Sequence, residues 1–318
     1  MRRFVVLAAL ALTVVALPAC NRAEDLHVLF TFTNVDSKPD LQRKAAISLQ
    51  SMFENLTLPQ GDALIVHLVA DAGSRAWAER VLERYRNESA IRIVFHDADT
   101  FWRPVTPQIE ALRAHFGSQT FDDPIFFLST ALHRLLPADV HRVMKLDLDV
   151  LVRVSLTDLQ REFRDFRSGE VIALAPDLQP VYYHLLEPYR RSHPGAVAGE
   201  AGQQGFNAGV ALYDLDAMRG SRLYNEALEP AAIDALAAKY GFRGHLGDQD
   251  FYTLLGFEHP GLFHRLDCTW NRQLCTWWQT VRPEVFDQFH ACPAEARILH
   301  GNCNTAIPGA ERYSALPR

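Results

Sequence analysis

The chain has no long basic run, no internal repeat and no close C-x-x-C pair. It also has no Gly- or Pro-rich stretch long enough to separate two independent domains. The missing basic run and the net charge of −6 argue against a nucleic-acid partner. The missing C-x-x-C pairs disfavour a structural zinc site. A composition 48% hydrophobic and 22% charged excludes disorder, collagen and a multi-span membrane protein. The 318 residues suffice for one large α/β domain. A negative protein that binds a negative ligand needs a cation between them.

Only one long apolar run is present, from Phe4 to about Ala19, preceded by Arg2 and Arg3. It reads as a signal peptide or a short signal anchor. The preceding arginines would leave the N-terminus cytosolic, so that residues 1–25 are expected to be a cytosolic tip and signal-anchor segment and residues 26–318 lumenal. LPAC at 17–20 offers a bacterial lipoprotein cleavage box as the alternative. Cys268, Cys275, Cys292 and Cys303 crowd the end of the chain, an even number in a secretory context, which predicts disulfides without fixing their connectivity. Asn55-Leu-Thr57 and Asn87-Glu-Ser89 are glycosylation sequons.

From residue 27 the pattern alternates strand and helix. Strands are expected over 27–33, 63–71, 91–97 and 142–149, with helices over about 40–55, 74–87 and 124–137. This order predicts a mostly parallel sheet with flanking helices and ligands at the strand carboxyl ends. A further strand is expected over 206–215 and helices over 224–241, interrupted at Pro230, and over 248–256. Residues 187–204 read as a loop, and the aromatic, Cys-rich remainder as a stapled cap.

The densest chemical signal is VMKLDLDVLV at 143–152. Two carboxylates inside an apolar run are costly unless paired or metal-bound. In a strand, Asp147 and Asp149 share a face. They suit Mg²⁺ or Mn²⁺. Phosphatases that use an aspartate nucleophile carry such a pair after the first strand of their sheet, whereas here it ends the fourth. Nucleotide-sugar transferases use it to hold a metal on a diphosphate. His300, before Gly301, is a candidate neutral nitrogen ligand.

The series A-x-x-R-L at 131–135, D-L-D at 147–149, F-N-A-G at 206–209, G-D-Q-D at 247–250 and H-G-N at 300–302 resembles glycosyltransferase family 8, which has the GT-A fold. The longer strings IFFLSTALHRLLP, QPVYYH, GFNAGVALYDLDAMR, RGHLGDQDF, LDCTWNRQLCTWW and HGNCNT are similar to its α-1,3-xylosyltransferase branch, over roughly residues 27–308. That branch implies a single-pass type II protein of the endoplasmic reticulum membrane. Its donor is UDP-xylose and its acceptor the xylosyl-glucose glycan on EGF-like repeats of Notch-type receptors.

Carried onto this chain, the resemblance implies Asp147, Asp149 and His300 as Mn²⁺ ligands, with Mg²⁺ the alternative ion. Thr31, Phe32 and Thr33 would line the uridine pocket, and Leu148 and Gly301 would lie beside the donor. Arg134 would approach the donor sugar or phosphate. Asn207 and Gly209 would shape the sugar floor, and Asn302 would touch the diphosphate or acceptor. His184 and His245 would crowd the sugar. Trp270, Trp277 and Trp278 would stack on the acceptor sugar or the peptide repeat, with the core of the disulfide cap as the alternative. Gln249, between Asp248 and Asp250, would lie on the β-face of the xylose. An amide is a poor nucleophile, so retention by front-face displacement is expected, with a covalent intermediate on Asp248 or Asp250 the alternative. The family's K-P-W phosphate contact is absent, and Arg272 is the candidate substitute. UDP-glucose or UDP-galactose transfer, and a non-catalytic glycan-binding protein, are the rival functions.

Overall fold

The computed structural model describes residues 25–85 and 88–313. The N-terminal segment 1–24 and the sequon residue Asn87 lie outside the described residues.

Seven strands form the main sheet: β1 (Leu26–Phe32), β2 (Leu64–Ala70), β3 (Ile91–Asp97), β4 (Arg142–Leu146), β6 (Ile172–Pro176), β7 (Phe206–Asp214) and β8 (Phe263–Arg265). A small second sheet holds β5 (Val150–Val152), β9 (Arg272–Gln273) and β10 (Ile298–His300). The main sheet runs β3-β2-β1-β4-β7-β6-β8 and the small one β5-β10-β9. Strands β1 to β4 are parallel, as the βα alternation predicts. β7 alone runs against its neighbours β4 and β6. The long helices are α1 (Pro39–Glu54), α2 (Ala72–Leu82), α3 (Thr106–Phe116), α4 (Pro230–Tyr240) and α5 (Asp248–Glu258).

Strand alternation divides β1 between two cores. Val28, Phe30 and Phe32 pack with Leu49 of α1 and Trp77 of α2. Leu29 points the other way, toward Ile109 and Phe116 of α3 and Phe251 of α5. Sheet faces covered on both sides are the arrangement a parallel sheet requires. Proline opens α1 and α4 in their first turns, where its missing N–H costs nothing. Gly241 ends α4 in the left-handed conformation, at φ 55°.

Several boundaries differ from the sequence reading. Residues 124–137 form a 3₁₀ segment, Pro124–Ala131, and a single turn, Leu132–Leu135, not one α-helix. The helical stretch over 224–241 is interrupted at Pro230, as expected, into Arg222–Ala227 and α4, because the proline has no N–H for the preceding turn. Helix α3 and strands β6, β8, β9 and β10 went unpredicted. Most of those strands are too short for alternation to show. The expected strand 142–149 stops at Leu146, so the aspartates do not share a strand face. Asp147 leaves the strand with its N–H on Gly209 O at 2.9 Å. Leu148 and Asp149 turn the chain into the second sheet.

The cysteines pair as Cys268–Cys292 and Cys275–Cys303. They tie the 3₁₀ turn before β9, and the residues after it, to segments on either side of β10. Among the described residues no helix is long and apolar enough to cross a membrane. The Asn55 sequon falls at a structural position. Asn55 caps the C-terminus of α1, and its Nδ2 donates to Ser51 O at 2.9 Å and Val152 O at 3.0 Å.

Candidate active site

The crossing from one sheet to the other builds the site. β10 pairs antiparallel with β5 so that His300 lies opposite Val150. Gly301 N–H then donates to Asp149 O at 2.8 Å. This register carries His300 Nε2 to 3.2 Å from Asp149 Oδ1 and 3.8 Å from Asp147 Oδ2. One ligand atom from each of the three residues lies within 4.8 Å of the others.

A chain of hydrogen bonds fixes the imidazole. Gly209 N–H donates to Asn207 Oδ1 at 3.1 Å, and Asn271 Nδ2 donates to the same oxygen at 2.8 Å. Asn271 must therefore turn its Oδ1 to His300, 2.9 Å from Nδ1. Nδ1 carries a proton, which leaves Nε2 as the atom facing the two carboxylates, the one a metal would bind once it is deprotonated. Gly209 makes room for the ring. Two carboxylates and one oriented imidazole at this spacing fit a divalent cation with bonds of about 2.1 Å.

Cations already surround the carboxylates. Lys145 Nζ reaches Asp147 Oδ1 at 3.0 Å, Ala208 O at 3.3 Å and Asp248 at 3.9 Å. Burial disfavours its charge, but Asp147 and Asp248 outweigh burial and raise its pKa. Lys44 Nζ lies 3.3 Å from Asp149 Oδ2 and donates to Asn304 Oδ1 at 2.8 Å. Burial would raise the Asp149 carboxyl, yet His300 and Lys44 hold it well below the usual range. For His300, burial opposes charge, but Asp149 raises the imidazole above its ordinary value.

The triad stands in a cleft of ≈680 Å³. Of the sequence-predicted residues, the cleft is lined by Thr31, Thr33, Leu148, Asn207, Gly209, His245, Asp248, Gln249, Trp277, Trp278 and Asn302. Asn302 is also structural, its Oδ1 accepting from the N–H groups of Leu274 and Cys275.

Other predicted residues have different duties. Phe32 is fully buried against Trp77, because strand alternation turns it from Thr31 and Thr33 into the core. Arg134 bonds Asn225 Oδ1 at 2.9 Å and lies near Glu229, a structural pairing. Trp270 is fully buried, with its Nε1 donating to Glu162 and Arg297 over its ring, so it is a core residue. His184 holds Arg282 beside Trp278 and does not line the cleft. Asp250 accepts from Tyr182 OH and from the N–H groups of His245 and Leu246 beneath the cleft. Gly301 gives way to Thr305 O and Ile307, which a Cβ would meet at 2.7 and 2.8 Å. Arg272 donates to His290 O at 2.7 Å and does not line the cleft, so the structure gives no support to it as the phosphate contact.

Sequence reasoning missed Lys44, Lys145, Asp177 and Asn271. Lys145 had a signal, a lone cation in the same apolar run as the aspartates. Asp177 follows the wholly buried strand β6 and is itself 1% exposed. Burial pushes its carboxyl up to about 8. Lys44 and Asn271 had none, since only long-range packing brings them to the triad.

No protein-family model matches the chain. Among known proteins it is 42% identical to mouse Xyloside xylosyltransferase 1 over 294 residues, 89% of this chain and 75% of the relative. It superposes on the apo crystal structure of that mouse protein with a TM-score of 0.85, covering 90% of this chain and 100% of the other. The galactosyltransferase LgtC, solved with donor and acceptor sugar analogues, matches at a TM-score of 0.57 and 18% identity over 92% of this chain and 95% of its own. That likeness shows the fold alone. The expected GT-A architecture is therefore present, and the chain is a glycosyltransferase that belongs to the xyloside xylosyltransferase family.

Proposed function

We propose that this protein transfers xylose from UDP-xylose, with retention, onto the xylosyl-glucose glycan of EGF-like repeats of Notch-type receptors in an α-1,3 linkage. Asp147, Asp149 and His300 would hold Mn²⁺. The reading rests on one observation: this oriented triad stands at the floor of the cleft in a chain 42% identical to a protein named for xylosyl transfer.

A bound divalent cation would supply charge neutralisation for the departing diphosphate. Thr31 and Thr33 line the β1 end of the cleft, where the uridine would lie. Lys44 is suited to the diphosphate. An ammonium has three N–H groups, and Asp149 and Asn304 use two. His245 would limit room around the sugar. Trp277, 60% exposed at the rim, offers a flat face to the acceptor.

The chemistry favoured is displacement on one face. The anomeric C–O bond to phosphate breaks, the acceptor oxygen bonds the same face, and its proton goes to the leaving phosphate oxygen. Gln249 would steady the cationic carbon through its carbonyl dipole. Asp248 and Asp250 are poorly suited to a covalent intermediate. Asp248 is hydrogen-bonded to Ser129 and near Lys145, and Asp250 is committed to Tyr182 and two backbone N–H groups. Burial raises both carboxyls, Asp250 to about 7.

We place the domain in the lumen of the endoplasmic reticulum, anchored by the apolar segment 4–19. Its two disulfides suit an oxidising compartment. The test is a donor panel of UDP-xylose, UDP-glucose and UDP-galactose with Mn²⁺ and a xylosyl-glucosylated EGF-like repeat, followed by linkage analysis. Only UDP-xylose should be used, and Asp149→Asn should abolish turnover while the protein stays folded. Preferred transfer of another sugar, or full activity in that variant, would refute the reading.

A further inference from the structure

Asp177 sits at the carboxyl end of β6, lines the cleft, and enters no step above. Its Oδ1 accepts the Gln179 N–H at 2.9 Å, closing a tight turn. Its Oδ2 accepts from Gln249 Nε2 at 3.0 Å. The other end of the Gln249 amide is held as firmly, since Oε1 accepts the Ala208 N–H of β7 at 3.2 Å. The second N–H of Nε2 meets Tyr182 OH at 3.3 Å. All these side chains are buried.

The chemistry of the partners dictates which way the amide points. A backbone N–H only donates, so oxygen must face Ala208. The nitrogen is thereby left facing Asp177 Oδ2, and the N–H groups of Gln179 and Gln249 favour the accepting carboxylate over the neutral acid that burial favours. Both N–H groups are then used, and the unused valence is the second lone pair of Oε1, on a residue that lines the cleft.

We propose that Asp177 is the positioning residue of this site: it locks the Gln249 amide so that its carbonyl oxygen, and not its NH₂, is available to the reacting sugar. The inference rests on the glycosyltransferase reading of the cleft. Without Asp177 the amide could rotate and turn a donor toward developing positive charge.

Two variants test it. In Asp177→Asn, the side-chain oxygen is kept by the Gln179 N–H, so NH₂ opposes NH₂ at Gln249. We expect kcat for xylosyl transfer to fall on the order of 10²-fold, with KM for UDP-xylose and the Kd for UDP with Mn²⁺ within about threefold of wild type. The double variant Asp177→Asn with Gln249→Glu restores the pairing. The new amide at position 177 would donate to one oxygen of the new carboxylate at position 249, whose other oxygen would accept from Ala208. Thermal unfolding of the metal-free proteins should show the double variant more stable than the two single losses combined predict. Additive losses, or an Asp177→Asn enzyme with wild-type kcat, would overturn the proposal. An inactive wild-type protein would instead sink the functional reading on which the positioning role depends.

Discussion

Gly209 lies against the imidazole of His300: a Cβ at 209 would stand 2.2 Å from the ring Cε1. The glycine of F-N-A-G is thus explained by close approach of a side chain, since its backbone φ is not positive. Real Cβ atoms do not come so near, so Gly209→Ala must displace the ring. Mn²⁺ affinity should drop about 10- to 100-fold, as for loss of a group that orients a ligand. Titration of Mn²⁺ by its paramagnetic resonance signal checks this, and wild-type affinity would contradict it.

Lys44→Met should weaken UDP binding about tenfold, equivalent to about 1.4 kcal/mol. Uridine affinity should not change if, as proposed, the ammonium meets the phosphates and not the nucleoside. Calorimetric titration with UDP and with uridine separates the two. Equal weakening of both ligands would mean that Lys44 supports the pocket wall and not the diphosphate.

The tryptophans divide by burial. Trp270→Ala should cost about 3–5 kcal/mol of stability, the usual loss on emptying a large core site. Trp277→Ala should leave stability within about 0.5 kcal/mol, being exposed, yet raise KM for the glycosylated repeat. Denaturant unfolding beside acceptor kinetics distinguishes them. An unchanged acceptor KM in Trp277→Ala would remove it from the acceptor platform.

Three histidines cross the sheet from β1 through β2 to β3. His27 Nδ1 meets His67 Nε2 at 3.0 Å, and His67 Nδ1 meets His96 Nε2 at 3.0 Å. Burial first, and the flanking imidazoles second, push the His67 pKa down to about 3. The unfolded chain, with an ordinary value near 6.5, takes up a proton in this interval that the native state refuses. Stability is therefore full above about pH 6.5 and falls as pH drops toward 3, by about 1.4 kcal/mol per unit for one proton. His67→Gln should flatten the dependence of Tm on pH between 6 and 4. An unchanged slope would show that other groups govern acid unfolding.

The comparison of sequence with structure turns on the range of the forces. The βα alternation, the start of α5 at the acidic D-Q-D and the core strands were legible because periodicity and helix-start chemistry act over a few residues. The D-L-D signal was legible because a carboxylate pair in an apolar run contradicts its surroundings. The 3₁₀ segment at 124–131 was not, since its apolar content suits either helix.

The amino-acid sequence by itself determined the parallel sense of the first four strands, the metal-suited residue types and the family resemblance. These are properties of neighbouring side chains and of short strings. Tertiary structure alone decided that β5 turns back along β10 to set His300 beside Asp149, that Cys268 pairs with Cys292 and Cys275 with Cys303, and that Trp270 is core while Trp277 is rim. It also decided that Asn271, Lys44 and Asp177 belong to the site. The reason is physical: strand register and packing bring distant segments together through contacts that no local pattern encodes.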